Sequence, residues 1–400
     1  MIGARLRTLR RWRGMTQAEL AGLSGLSPSF LSMVEHGKRM LDRRSDIAAL
    51  AGALRVSETD LAGVPHLSAD PVQSDPHMAI PPLRAALQIN RLNGPVIERA
   101  RPLPDLVREI GTRIDPLRAR SDYSAVGKIL PDVLDELYAH VASPAGELGR
   151  RQALASLVEV CAAANELASV MGYTDLAHLA AVRAEEAAVL LEDPVQQGKA
   201  AVLSLFAYPQ EHTWDRRLRA AERAAGALEP HARDPLAYQV LGMLTLHAAM
   251  AAAVIQRPHV ISHWLGEAAR LAGRIPDDPA GNWQYFSATN VGIWRLAIGV
   301  ERGESGGAVL EIARSVSEEK IGVRSRKAMH LADIGRGLAR DPKTRAEAVR
   351  VLRRAEETAP QLIRNSTPVR ETVAYLLNRA TAAAVGRELR GMAARMGVPH

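Results

Sequence analysis

Residues 16–39, TQAELAGLSGLSPSFLSMVEHGKR, leave the backbone few choices. Thr16 followed by Glu19 forms a capping box, which starts a helix by satisfying two of its free amide donors. Gly25 falls where a tight turn between two helices needs a positive φ, a conformation glycine reaches without strain. Ser27 supplies an N-cap oxygen for a second helix, and Pro28 fits its first position, where no donor is missed. Leu31 and Val34 place an apolar stripe on one face, and Gly37 closes the helix. Two capped helices around a glycine turn predict a helix-turn-helix, in which the second helix enters the DNA major groove.

The stretch from Ile2 to Leu61 resembles the Cro/C1-type (XRE family) helix-turn-helix of phage repressors and many bacterial regulators. The resemblance rests on Leu6, Leu9, Arg10, Met15-Thr16-Gln17, Leu20-Ala21, Gly25, Ser27, Leu31 and Val34-Glu35-His36-Gly37-Lys38. Val34 and His36 depart from the Trp, Ile or Leu and the Asn usual at those positions. The resemblance implies that Gln17 hydrogen-bonds a phosphate, a contact that sets register more than sequence preference. Base readout falls to the start of the second helix, at Ser27, Pro28, Ser29, Ser32 and Met33, with Phe30 meeting a thymine methyl. None of these side chains makes a bidentate arginine–guanine or glutamine–adenine pair, so DNA shape should carry much of the preference. Lys38, Arg39, Arg43 and Arg44 are expected to clamp the backbone. The bland reading for Phe30 and Met33 is that they pack inside the domain.

Charge supports this placement. Residues 1–61 hold ten Lys and Arg against six Asp and Glu, so basic density is concentrated at the N-terminus, although the whole chain carries only +7. Such a surface suits phosphate. Hydrophobic content of 47% without an evident apolar run near membrane-spanning length predicts a soluble, cytoplasmic chain that does not enter a membrane. The basic opening MIGARLRTLRRWRG lacks the apolar stretch of a signal peptide and reads as a first helix. The single cysteine, Cys161, excludes a disulfide framework and is expected to be a small buried residue.

The expected fold is all-α. Helices at 46–54 and 58–61 complete a five-helix domain over residues 1–61. Residues 62–100 are read as a linker, because 62–82 carry five prolines and few large apolar residues; it should let the two domains reorient. From 101 to 398 the pattern is helix, short break, helix: 105–114 and 121–141, then pairs at 148–171 and 174–192, 235–256 and 259–274, 283–302 and 305–318, and 323–340 and 343–358. Residues 195–228 read as a more irregular pair. Paired helices at this spacing suggest an α-solenoid. This region resembles the tetratricopeptide-like part of large actinobacterial regulators, most specifically at Trp283-Gln-Tyr-Phe-Ser-Ala-Thr-Asn-Val291, at Ala297-Ile-Gly-Val-Glu-Arg-Gly303, at 346–356 and at 370–373. Those relatives usually carry Gly-Pro where this chain has Ser287-Ala288.

The resemblance implies a sensory and dimerising role for the repeats. Similar arrays hold an extended peptide or a small molecule on a concave face. Candidate lining residues are Asn165, Tyr238, His247, Trp283, Tyr285, Asn290, Trp294 and Asn378. Trp264, Trp283, Tyr285, Phe286 and Trp294 cluster in sequence and are either a pocket wall or a staple between repeats. No HExxH, phosphate loop, GxSxG or paired cysteine nucleophile is present, and the histidines lack metal spacing; no enzyme activity, metal or cofactor is expected. The expectation is a homodimeric, DNA-binding transcriptional regulator controlled by a small-molecule or peptide effector. The alternative is a protein–protein scaffold whose repeats recruit a partner to double-stranded DNA. An antitoxin-like regulator is a third reading.

Overall fold

A computed structural model describes residues 1–97, 99–206, 214–278, 280–379 and 385–399. The first unit has five helices: α1 (Ile2–Trp12), α2 (Gln17–Ser24), α3 (Pro28–Glu35), α4 (Arg44–Leu54) and α5 (Glu58–Ala62). Its core is built from Ile2, Leu6, Leu20, Leu31, Val34, Leu50, Leu54 and Leu61, the periodic apolar positions of each helix. At Gly3 a Cβ would collide with the Val34 carbonyl, so glycine lets α1 cross α3 closely.

The stretch read as a linker is folded and packed. Asp70 caps a short helix at Pro71–Ser74, a 3-10 turn follows at Asp75–Ala79, and a helix runs over Ile80–Ile89. Ile80, Leu83 and Leu87 form one apolar face against the helix Tyr123–Ala142. Gln73 is fully buried and donates to Asn365 Oδ1 at 2.6 Å, while Arg364 pairs with Asp70 at 2.8 Å. Pro71, Pro76, Pro81 and Pro82 sit at helix starts instead of breaking the chain, and partners some 290 residues away along the chain satisfy polar groups here. This segment is therefore no free tether.

Among the described residues the regular structure of the rest is also helical, with loops between the helices and one isolated bridge between Arg91 and Gly94. The most extensive pairings join Gly146–Met171 with Thr174–Leu191, Arg324–Arg340 with Arg345–Thr358, and Pro235–Val254 with both Trp214–Leu228 and Pro258–Ala272. The helix expected to begin at 283 starts instead at Ala288, capped by Ser287 Oγ, after a 3-10 turn at Trp283–Tyr285. The helix expected over 305–318 is shorter, Gly307–Ala313. Of the irregular pair, Pro194–Phe206 and Trp214–Leu228 are helices, and residues 207–213 between them lie outside the described residues.

Two helices, Gly146–Met171 and Pro235–Val254, are long and apolar enough to cross a membrane by length and composition, contrary to the sequence reading. Both are mostly buried within the fold. Their alanine-rich surfaces pack on neighbours nearly all round, as core helices do. Cys161 lies in the first, fully buried, with its thiol pushed up to about 12 by burial.

The five-helix unit is docked on the remaining helices. Met40 joins the C-terminal core. Asp42 receives Arg340 at 2.8 Å, and its carbonyl accepts from Arg336 at 2.9 Å. The amide of Ile2 donates to Glu371 at 2.8 Å.

Candidate nucleic-acid interface and internal cavity

The local geometry of α2 and α3 follows their sequence. Thr16 Oγ1 accepts from the Glu19 amide at 3.2 Å, and Glu19 returns a carboxylate to the Thr16 amide at 2.7 Å. The Thr16 amide and hydroxyl, both donating to the Glu19 carboxylate, hold that carboxyl below its ordinary value. Gly25 adopts φ 68°, and Ser27 Oγ accepts from the Phe30 amide at 3.1 Å. Beneath them, Arg10 forks onto Glu35 at 2.6 and 2.9 Å, and Gln17 donates to the same carboxylate at 2.8 Å. This buried cluster ties α1, α2 and α3 together. Burial pushes the Glu35 carboxyl up, but the bonds from Arg10 and Gln17 outweigh it and hold the group below its usual range.

Ser27, Pro28 and Ser29 are exposed at the start of α3, and Lys38 and Arg39 are exposed beyond its end. Ser32 and Met33 are half-buried. Phe30 packs partly on the domain core, with the Arg39 guanidinium 5.2 Å from its ring centre. Gln17 is half-buried and engaged by Glu35, which makes it a positioning residue in this structure. Arg43 and Arg44 are not on this face. Arg43 donates to the Glu301 carbonyl at 3.1 Å, and Arg44 reaches the Glu301 carboxylate at 3.4 Å. Both cations were expected on phosphate; the deeply buried Glu301 turns them inward instead.

The inward half of the unit, from Leu41 to Val64, faces a cavity of about 490 Å³ that it forms with the other helices. Of the eight residues expected to line a ligand site, Asn165, His247, Tyr285 and Trp294 do line it. Tyr238, Trp283, Asn290 and Asn378 do not. Tyr238 stacks under Arg274, and Trp283 donates to Glu159 at 3.3 Å. Asn290 is buried at a helix start, where Ser287 Oγ accepts from its amide at 3.1 Å. Asn378 sits against Gly37 at the exit of α3, beside Arg379, which donates to the Lys38 carbonyl. The aromatic cluster therefore divides. Phe286 is core, filling the space above Gly242, whereas Tyr285 and Trp294 form cavity wall.

His247 stands edge-on to Phe206 at 4.4 Å and to Trp294 at 5.2 Å between ring centres. Burial, with the Arg217 and Arg326 charges, holds it neutral, well below the ordinary histidine range. Those two arginines were missed in the sequence. Arg326 is 7% exposed; its Nη2 donates to the Gln284 carbonyl at 3.3 Å, and its Nε has no partner. Arg217 lies 4.6 Å over the Trp214 ring, with its Nε also unpartnered. Burial pushes the Arg217 guanidinium down to about 10. Glu58 closes the wall from α5, accepting from Trp214 Nε1 at 3.1 Å; burial pushes its carboxyl up to about 7. Nothing local marks Arg217 or Arg326 in sequence, since each sits in an arginine-rich helical stretch that reads as a solvated face. Among the described residues no group of three or more His, Cys, Asp or Glu is placed to hold a metal.

Residues 2–63 match the family described as "Helix-turn-helix domain", so the N-terminal unit is a helix-turn-helix domain. A Bacillus subtilis (strain 168) protein named "Uncharacterized HTH-type transcriptional regulator RghRB" is 40% identical over 71 residues, 18% of this chain and 51% of that protein. The chain thus spans about half the length of that relative. No solved structure is a significant match.

Proposed function

We propose that the chain is a DNA-binding transcriptional regulator of the Cro/C1 (XRE) type, acting as a cytoplasmic homodimer on double-stranded DNA. The observation that carries this reading is the exposed first turn of α3, Ser27 to Ser29, held on a frame fixed by Thr16, Glu19 and the Arg10–Glu35–Gln17 cluster. Exposed Lys38 and Arg39 stand beyond the far end of the same helix, where backbone contacts belong. Such domains bury little surface singly and act in pairs on half-sites about one helical turn apart.

In this reading residues 101–398 form a tetratricopeptide-like solenoid that supplies the dimer contact and the site for a small effector, and the chain performs no catalysis. Docking of α1, α4 and α5 on those helices favours rigid coupling between the two parts over a swinging tether. The test is selection of genomic fragments at physiological salt by the parent and by Ser29→Glu. Ser29 is exposed, so the variant keeps its fold, while its carboxylate faces the duplex. The parent should recover a shared, roughly palindromic site, and the variant should bind that site roughly 10-fold or more weakly. Equal recovery by both would overturn the assigned face.

A further inference from the structure

The internal cavity carries a more specific assignment, one that rests on the regulator reading above. Its wall is chiefly apolar, with Tyr285, Trp294, Phe206 and Met250 among the side chains facing the space. A volume of about 490 Å³ sits within the range of sites that enclose small organic ligands. Four arginines interrupt this surface, Arg44, Arg217, Arg326 and Arg336, and Arg217 and Arg326 stand apart from the other two.

Glu58 also faces Arg217 across this space without forming an ion pair and accepts only from Trp214 Nε1, while the remaining charged groups around the cavity are paired within the protein. Glu166 accepts from Arg118 at 2.8 Å and from the Tyr123 hydroxyl at 3.2 Å. Asp42 and Asp333 are paired with Arg336, at 3.6 and 2.7 Å. Arg44 is held by Glu301. Arg217 and Arg326 have no carboxylate within ion-pair distance among the described residues, and each leaves a buried Nε without a partner. Both act on the same neutral imidazole, His247, whose Nε2 is also buried and unpartnered. A guanidinium whose inner nitrogen is buried and unpartnered, with no carboxylate at ion-pair distance, is costly unless something else supplies a close anion.

We infer that this cavity binds a small amphipathic anion, its apolar body against Tyr285 and Trp294 and its anionic head between Arg217 and Arg326. His247, Tyr285 and Trp294 come from the repeat region, but Ile47 and Glu58 come from α4 and α5 of the helix-turn-helix unit. One molecule in this space therefore touches both parts of the chain. It supplies the differential contact that a ligand needs in order to shift how the DNA-binding unit is held.

The test uses the full chain without DNA, so its result is independent of whether an operator exists. The probe is 8-anilinonaphthalene-1-sulfonate, compared with N-phenyl-1-naphthylamine, which has the same aromatic body and no charge. Fluorescence titration should show one saturable site binding the sulfonate at least tenfold more tightly than the amine. Arg217→Met and Arg326→Met should each erase most of that preference and leave the amine's affinity unchanged. Arg217 is only partly buried, so its variant serves if loss of Arg326 disturbs folding. As a check that needs no variant, 4-phenylbutyrate should displace the sulfonate and 4-phenylbutanol should not. Equal affinity for the two probes, displacement by the alcohol, or an unchanged preference in a folded Arg217→Met protein would each overturn the assignment. If these pass while no operator is selected, the ligand site stands and the regulator reading falls.

Discussion

Glu35 and Glu58 lie in the same five-helix unit and are buried alike, at 7% and 5% exposure, yet their environments shift them in opposite directions. Glu35, under the α2–α3 face, has a guanidinium and an amide on its carboxylate and stays ionised. Glu58, on the cavity side, has one indole N–H, and burial wins, taking its carboxyl up to about 7. Charge on the outward half is closed on itself and serves the frame. On the inward half Asp42 and Arg44 are paired, but the charge of Glu58 is left open to pH. The same residue type thus marks architecture in one place and a candidate site in the other.

Removing the frame's anion should give the largest effect. Glu35→Ala leaves the Arg10 guanidinium buried without its partner and frees the Gln17 amide. Truncating one member of a buried pair costs about 3–5 kcal/mol. Denaturant unfolding should record a loss of that size, with specific DNA binding lost alongside. A loss below about 1 kcal/mol would mean that the cluster is no more than a surface pair, and the contrast with Glu58 would fail.

Glu58→Gln tests the other half with a sign that depends on pH. A carboxyl whose folded pKa lies above its unfolded value of 4.5 contributes stability at low pH and loses it as pH rises through about 7. Glutamine keeps the acceptor for Trp214 and removes the buried charge. The variant should match the parent near pH 5 and exceed it by roughly 2–3 kcal/mol at pH 8. Paired unfolding curves at the two pH values check this. A variant less stable than the parent at pH 8 would place Glu58 among the closed pairs, with Glu35.

Legibility divides along the same line. Every cap and turn of α2 and α3 was readable because its partners lie within a few residues: Thr16 with Glu19, Ser27 with Phe30, and Gly25 in its own positive φ. Apolar spacing likewise located most of the later helices. Two kinds of contact were hidden. Residues 62–100 looked like a tether because partners such as Asn365 for Gln73 lie far along the chain. Arg217 and Arg326 looked solvated because the burial of their inner nitrogens leaves no trace in local pattern. Of the residues chosen by type, by clustering in sequence and by resemblance, Asn165, His247, Tyr285 and Trp294 line the cavity and Tyr238, Trp283, Asn290 and Asn378 do not.

The smallest effect concerns the start of α4, which joins the two halves. Its N-cap, Arg43, offers no side-chain bond. The Ser45 amide donates instead to Glu301 at 3.1 Å, a carboxylate 256 residues away, while α2 draws the equivalent bond from Thr16 close by. A carboxylate at a helix start satisfies an orphan donor and complements the helix dipole, together worth about 1 kcal/mol. Glu301→Gln keeps an acceptor but loses the charge that holds Arg44, so the global loss should be about 1 kcal/mol or less. Hydrogen exchange should then quicken in the first turn of α4 and leave α2 and α3 unchanged, because their caps are internal. Uniform quickening across α2, α3 and α4 would show that docking through Glu301 supports the whole unit, and the outward half would no longer be self-contained.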